Sequence, residues 1–340
     1  MAFRAGRGIA DITGEAAECG MLGYGRADQQ SAGIHTRQRA RAFAFEEGGA
    51  RLLLVVCELP LMSDAVVREV LRRLPDGYGA ANVMLTATHT HCGPGGYFHH
   101  ALYNSNTGGF REQTFRAIAD GITEAAHAAT ADLAPVAAIV GAELSDVLVA
   151  GYSNGYIHYV TTPEEYGAQE YEGGSTLFGR WELPALCQTV AGLATAMRDG
   201  TPAGPGTPEP AVPVGRRHRR GLDDAPHPGR RFGDVLDFSL IGRRATASFV
   251  AAHPSNDLRR GGSYLSVERR GDDGSWTRIA DDGDWSTLFR WARSGGATSV
   301  ATVAWNIPPD TLPGAYRLAY HGDSATKGPF TGVSEPFQVP

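Results

Sequence analysis

Cysteine is scarce in this chain of 340 residues: Cys19, Cys57, Cys92 and Cys187 stand far apart with no CxxC spacing. That excludes a small disulfide-framed domain and reads instead as free thiols in cores. Long apolar runs are also missing. The longest, Leu52 to Cys57, is strand-sized, whereas a membrane-spanning helix needs roughly 18 to 20 apolar residues. Positive charge is not in excess either; the net charge is -6, which gives no reason to expect a nucleic-acid partner. The first residues, Met1 to Arg7, lack the apolar core of a secretory signal, which points to the cytoplasm. What is present is a globular composition, 42% hydrophobic, at a length suited to two domains.

The strongest boundary lies at residues 199–231. There Thr201-Pro202-Ala203-Gly204-Pro205-Gly206-Thr207-Pro208-Glu209-Pro210 is followed by Arg216-Arg217-His218-Arg219-Arg220. Proline at this density supports neither helix nor ladder, so the segment reads as a linker between domains at 1–198 and 232–340. Upstream, strands and helices alternate. Arg51 to Glu58 reads as a buried strand, and Ser63 caps a helix carrying Val66, Val67, Val70, Leu71 and Leu74 at helical spacing. Asn82 to His91 is the next strand, Arg111 to Asp132 a second helix, and Val147 to Tyr152 another strand. A last helix, Trp181 to Arg198, is expected to bury Leu183, Leu186, Val190, Leu193 and Met197. The alternation predicts an α/β layered domain with mainly parallel pairing. Downstream the period becomes two, in Trp285-Thr287-Phe289-Trp291, Val303-Trp305-Ile307 and Tyr316-Leu318-Tyr320. Short alternating strands with tight turns predict an all-β, immunoglobulin-like sandwich.

The chemistry concentrates in Thr86-Ala87-Thr88-His89-Thr90-His91-Cys92-Gly93-Pro94-Gly95-Gly96. Continued strand alternation would put Val83, Leu85, Ala87, His89 and His91 on one face, two imidazoles side by side at the carboxyl end of a strand. The glycine-rich exit lets backbone approach a ligand closely. The pair suits a metal, though a polar strand end satisfied by backbone partners is the plainer reading. Cys92 beside imidazoles is a candidate nucleophile or an ordinary loop thiol.

These residues have neighbours with a pattern of their own: Gly8-Ile9-Ala10-Asp11-Ile12-Thr13-Gly14, Gly20-Met21-Leu22-Gly23-Tyr24, and Gly33-Ile34-His35-Thr36-Arg37-Gln38-Arg39. Later come Tyr159-Val160-Thr161-Thr162-Pro163-Glu164-Glu165-Tyr166, Tyr171-Glu172-Gly173-Gly174-Ser175-Thr176, Arg231-Phe232-Gly233-Asp234-Val235 and Asn256-Asp257-Leu258-Arg259-Arg260. Together they resemble the neutral/alkaline non-lysosomal ceramidase family. The resemblance implies a zinc-dependent amidase that cleaves the N-acyl bond of ceramide or a related N-acyl lipid. By matching positions it implies His89 and Tyr159 as zinc ligands, with His91 and Tyr171 as catalytic pocket residues. It also makes secretion the alternative location, and allows membrane-surface contact and a homo-oligomer.

The same resemblance exposes a gap. In the family a long central segment carries a second histidine ligand, a serine and a glutamate ligand; here Gly141-Ala142-Glu143-Leu144 runs almost directly into Val147. The chain therefore reads as a shortened form, internally deleted near 143–147, with Cys92 where the family has serine. His35, Glu58, His99 and His100 are the local candidates to complete a ligand set. The alternative is an inactive remnant that binds lipid or a partner.

Overall fold

A computed structural model describes residues 3–135, 153–201, 214, 215, 217 and 224–340. It divides into two compact units, Met1–Asn154 with Val214–Pro340, and Gly155–Pro213. In the larger unit the chain forms β1 (Arg4–Asp11), β2 (Ala17–Gly20), β3 (Gln30–Ile34), β4 (Arg39–Glu47), β5 (Ala50–Cys57), α1 (Asp64–Leu71), β6 (Val83–Ala87), a 3-10 turn at Ala101–Thr107, α2 (Glu112–Ala131) and β7 (Ala134–Pro135). Five of these strands make one sheet in the order β6-β5-β4-β1-β7.

The pairing corrects the expectation of a mainly parallel sheet. Among the described strands of this sheet, β5 and β6 are the one neighbouring pair that runs parallel, joined by a helical crossover, α1. β4 and β5 form a hairpin instead. Gly48 and Gly49 between them both take positive φ, at 59° and 87°, the conformation that a tight turn between twisted strands requires. The inward residues Ala40, Ala42, Ala44, Leu53, Val55, Cys57, Val83 and Leu85 are buried, and α2 packs along β1 and β4. Helix α2 buries Ala117, Ile118, Ile122, Ala125, Ala126 and Ala129, a three-and-four spacing that marks one apolar face.

Past the linker come β8 (Val235–Ile241), β9 (Arg244–Ala251), β10 (Leu265–Arg270), β11 (Trp276–Asp281), β12 (Thr287–Gly295), β13 (Thr298–Asn306), β14 (Gly314–Ser324), β15 (Gly328–Val333) and β16 (Phe337–Val339). They build two sheets. One runs β11-β10-β14-β15 with β16 also on β14; the other runs β2-β3-β12-β13-β9-β8. Their inner faces share one core, in which Phe249, Phe289 and Trp305 of one sheet meet Leu265, Tyr316 and Tyr320 of the other. The rings of Tyr264 and Phe289 stack at 4.8 Å. The predicted alternation holds at Phe289 and Trp291 but not at Trp285, which is 76% exposed in the turn before β12. Strands β2 and β3 come from the first forty residues, yet extend the sandwich: Ile34 pairs with Phe289.

A buried ion cluster ties the two ends of the chain together inside this unit. Arg37 donates to both carboxylate oxygens of Asp282, at 3.0 and 2.8 Å, to Asp11 at 3.3 Å and to the Leu258 carbonyl at 3.1 Å. Its side chain is 1% exposed, those of Asp11 and Asp282 5% and 1%. Such a cluster tolerates loss of one partner badly, because the remainder stays charged and dry.

The smaller unit holds α3 (Pro163–Ala168), α4 (Tyr171–Gly174) and α5 (Glu182–Arg198). Thr162 starts α3 with a complete capping box: its hydroxyl accepts from the Glu165 amide while the Glu165 carboxylate accepts from the Thr162 amide. Helix α5 forms as predicted, with Pro184 in its first turn, but its apolar face is not covered. Val190, Leu193 and Met197 are 62%, 45% and 84% exposed, and Leu183 and Leu186 only half-buried. The predicted strand at 147–152 and most of the predicted linker lie outside the described residues.

Candidate active site

Two side-chain pairs carry the candidate chemistry, one in each unit. The first lies just beyond β6. Strand pairing ends where the Thr88 amide donates to the Cys57 carbonyl, and His89 then takes a left-handed backbone, φ 62°. The strand is thus shorter than predicted, and the alternation that would align both histidines with Leu85 stops at Ala87. A turn brings them together instead: their rings meet edge to face with centroids 4.9 Å apart.

Nδ1 of His89 lies 2.7 Å from the Pro60 carbonyl. A carbonyl only accepts, so this contact puts the proton on Nδ1 and the lone pair on Nε2, the tautomer that a metal ligand or proton acceptor needs. His91 stands edge-on to the Tyr24 ring at 5.5 Å and flat against the backbone of Gly23. A Cβ at position 23, where φ is 102°, would fall 2.4 Å from the imidazole, so only glycine admits the ring there. Burial, with a smaller contribution from His89, lowers the His91 pKa below its ordinary value and favours the neutral ring at neutral pH. The Tyr24 hydroxyl lies 3.7 Å from the Cys92 sulfur, and that bond, then burial, raises the tyrosine pKa. From Cys92, Gly93 and Pro94 a cavity of about 430 Å³ extends to His35 and Trp285.

The second pair is Tyr159 and Tyr171. Tyr159 Oη donates to Tyr171 Oη at 3.3 Å, and their rings meet at 5.4 Å. That bond pushes the Tyr159 pKa up to about 12. Because the Tyr171 oxygen is the acceptor here, its own proton is available to donate outward. The Tyr159 amide donates to the Ser175 carbonyl, and Thr161 and Thr176 join their hydroxyls at 2.9 Å, fixing the segment that carries the first ring to the one that carries the second.

Sequence reasoning assigned no role to Tyr24 or Gly23, although both sit in a quoted motif. Their signal is only the Gly-Tyr dipeptide, which says nothing of contact with a histidine sixty-odd positions away. The four local ligand candidates fare differently. Glu58 is turned to the Arg39 amide and the Arg41 guanidinium. His35 lies on Trp285, ring centroids 4.4 Å apart, and His99 packs against Phe110 and Phe115 at 5.3 and 5.6 Å. His100 stands beside Tyr103.

The chain matches the description "Neutral/alkaline non-lysosomal ceramidase, N-terminal" over residues 3–143 and 136–188, and the corresponding C-terminal description over 190–339. It belongs to the neutral/alkaline non-lysosomal ceramidase family. Among relatives, the neutral ceramidase of Mycobacterium tuberculosis is 31% identical over 642 positions, covering 98% of this chain and 99% of the relative. That of Pseudomonas aeruginosa is 25% identical over 617 positions, covering 95% and 92%. Both alignments are nearly twice as long as the 340 residues here, so the chain is shorter than these relatives by nearly half. The crystal structure of the Pseudomonas aeruginosa neutral ceramidase superposes with a TM-score of 0.91 at 24% identity, covering 100% of this chain and 99% of that one. A structure described as a ceramidase complexed with C2 gives 0.92, also at 24% identity and covering 100% and 99%. This likeness establishes the ceramidase fold.

A zinc ion in a hydrolase takes three protein ligands and keeps a position for water. Among the described residues, no group of three or more His, Cys, Asp or Glu side chains is placed to hold a metal ion. His89 has the right tautomer, but within its own unit none of His35, Glu58, His99 or His100 is aimed to complete a set with it. The described residues do not fit a complete catalytic zinc site.

Proposed function

We propose that the chain acts on the N-acyl bond of ceramide or a related N-acyl lipid, through the ceramidase-family positions His89, His91, Tyr159 and Tyr171. What carries the reading is family membership at both ends of the chain, together with the survival of these residues in chemically usable states. A neutral His91 accepts a proton or a hydrogen bond at pH 7. The Tyr171 hydroxyl, already accepting from Tyr159, donates its proton toward the oxygen of a bound amide, where negative charge develops as the carbonyl is attacked. Zinc, with His89 and Tyr159 as ligands, belongs to this reading as the family's cofactor. Those two residues alone do not complete a zinc site.

Release of fatty acid from labelled ceramide, measured with zinc added and compared with His89→Ala, tests the proposal. Turnover above buffer that is lost in the variant supports it; no turnover at any zinc concentration overturns it. The missing third ligand favours one second reading, a catalytically inactive family member that binds lipid. Ceramide retained by the chain with no fatty acid released would identify that case.

A further inference from the structure

Among the described residues of its own unit, the first sheet is covered on one face. Its inward side chains are buried beneath α1 and α2, while the alternate set points away: Ile9, Phe43 and Leu52 are 60%, 39% and 49% exposed, and Leu54, Val56 and Met84 half-buried. Phe3, itself 41% exposed, stacks on Phe45 at 6.0 Å. Beside them a depression of about 450 Å³ is lined by Phe45, Ala50 and Leu52 and rimmed by Glu46 and Arg51. Those two rim charges bond to each other at 2.8 Å, and Glu47 adds a carboxylate to the same rim, so the depression is apolar in the middle and charged only at its edge. Contiguous exposed apolar side chains of this kind mark an interaction surface.

Topology identifies what belongs on it. The chain leaves this sheet at β7, its last strand on one edge, and meets it again at Ser153, which bridges Thr86 of β6 on the opposite edge. Asn154 continues the contact by donating its amide to the Leu85 carbonyl. The two N-terminal family matches overlap at residues 136–143, between those edges. The extra residues of the longer relatives are therefore inserted into the connection that runs from edge to edge. With the helices occupying one face, a long insertion between opposite edges is left the other face to cross.

We propose that the open face of the first sheet is a docking surface for a separate polypeptide equivalent to the central segment that the longer relatives carry within their own chain. Docking of this kind follows from family membership and topology and is read as association, so its failure is distinguishable from a loss of turnover.

The full chain is mixed with the recombinant central segment of the Mycobacterium tuberculosis relative, the residues its alignment leaves unmatched, and followed by sedimentation velocity. A one-to-one complex is expected, weakened at least about tenfold by the double substitution Phe43→Glu with Leu52→Glu, which leaves the melting of the free chain nearly unchanged. An unaffected complex overturns the proposal. So does a free chain that is already a dimer and becomes monomeric on Leu52→Glu, since the face would then belong to a second copy. Should the free segment fail to fold, it is inserted within the chain between Glu143 and Val147, and Leu52→Cys, in a background where the exposed Cys92 and Cys187 are replaced by serine, is labelled with a maleimide. Labelling at least about tenfold slower than in the short chain is expected; an equal rate overturns the proposal.

Discussion

The sandwich and the first sheet are built from the same kind of strand, with alternating side chains, but they end differently. In the sandwich, both sheets turn an apolar face inward and each covers the other, so Phe289, Trp305, Leu318 and Tyr320 are at most 1% exposed. In the first sheet α1 and α2 cover one face, and Phe43 and Leu52 on the other remain 39% and 49% exposed. Alternation of apolar residues thus records which faces a strand was selected to bury. It does not guarantee that the covering layer is in the same chain.

The contrast can be broken by substitution. Phe289→Ala, in the shared core, should cost about 3–5 kcal/mol in denaturant melts, the transfer and cavity cost of a buried ring. A loss below about 1 kcal/mol would mean that the sandwich core is less closed than described. Arg37→Ala should be comparably severe, about 3–5 kcal/mol, because Asp11 and Asp282 would be left buried and unpaired. If the melt is unmoved, the cluster does not bind the two ends of the chain. Gly23→Ala should cost about 1–3 kcal/mol through its backbone conformation and the imidazole against it. Titration of His91 by NMR should report the displaced ring; an unchanged His91 titration curve would remove Gly23 from the site.

Acidification should act on both regions in the same direction. Burial lowers the His91 pKa, and burial, opposed in part by Glu18, lowers that of His253. The unfolded chain then binds more protons than the folded one between the depressed values and the ordinary imidazole value of about 6.5. Stability is therefore fully present above about pH 6.5 and lost as pH falls through the folded values. Melts that are flat between about pH 7.5 and pH 5 would contradict this. The smallest effect belongs to Leu52→Ala, within about 0.5 kcal/mol in the isolated chain, and a large loss there would show that the open face is covered already.

Much of the local structure was legible in order. Helices α2 and α5 fall within a residue of their predicted limits, because three-and-four spacing survives any tertiary context. What failed was inference across distance. Parallel pairing was expected from the alternation of elements, yet the Gly48-Gly49 turn makes β4 and β5 antiparallel. The apolar stripe of α5 predicted burial, but periodicity cannot say whether a partner layer is present. At the site, both histidines and both tyrosines were named, and the structure brings each pair into contact, though not by the predicted strand face. Tyr24 and Gly23 went unassigned because a contact over that separation leaves no periodic trace.

By itself the sequence determined the family, the helices α2 and α5 and the alternating strands of the sandwich, and it nominated the two candidate pairs, since those follow from local spacing and matching motifs. Tertiary structure alone decided the rest: that β2 and β3 join the sandwich, that His89 holds its proton on Nδ1, and that Phe43 and Leu52 of the first sheet are left partly exposed. Each depends on which groups distant in the chain come within reach of one another. Contact, burial and the direction of a hydrogen bond are properties of the folded chain.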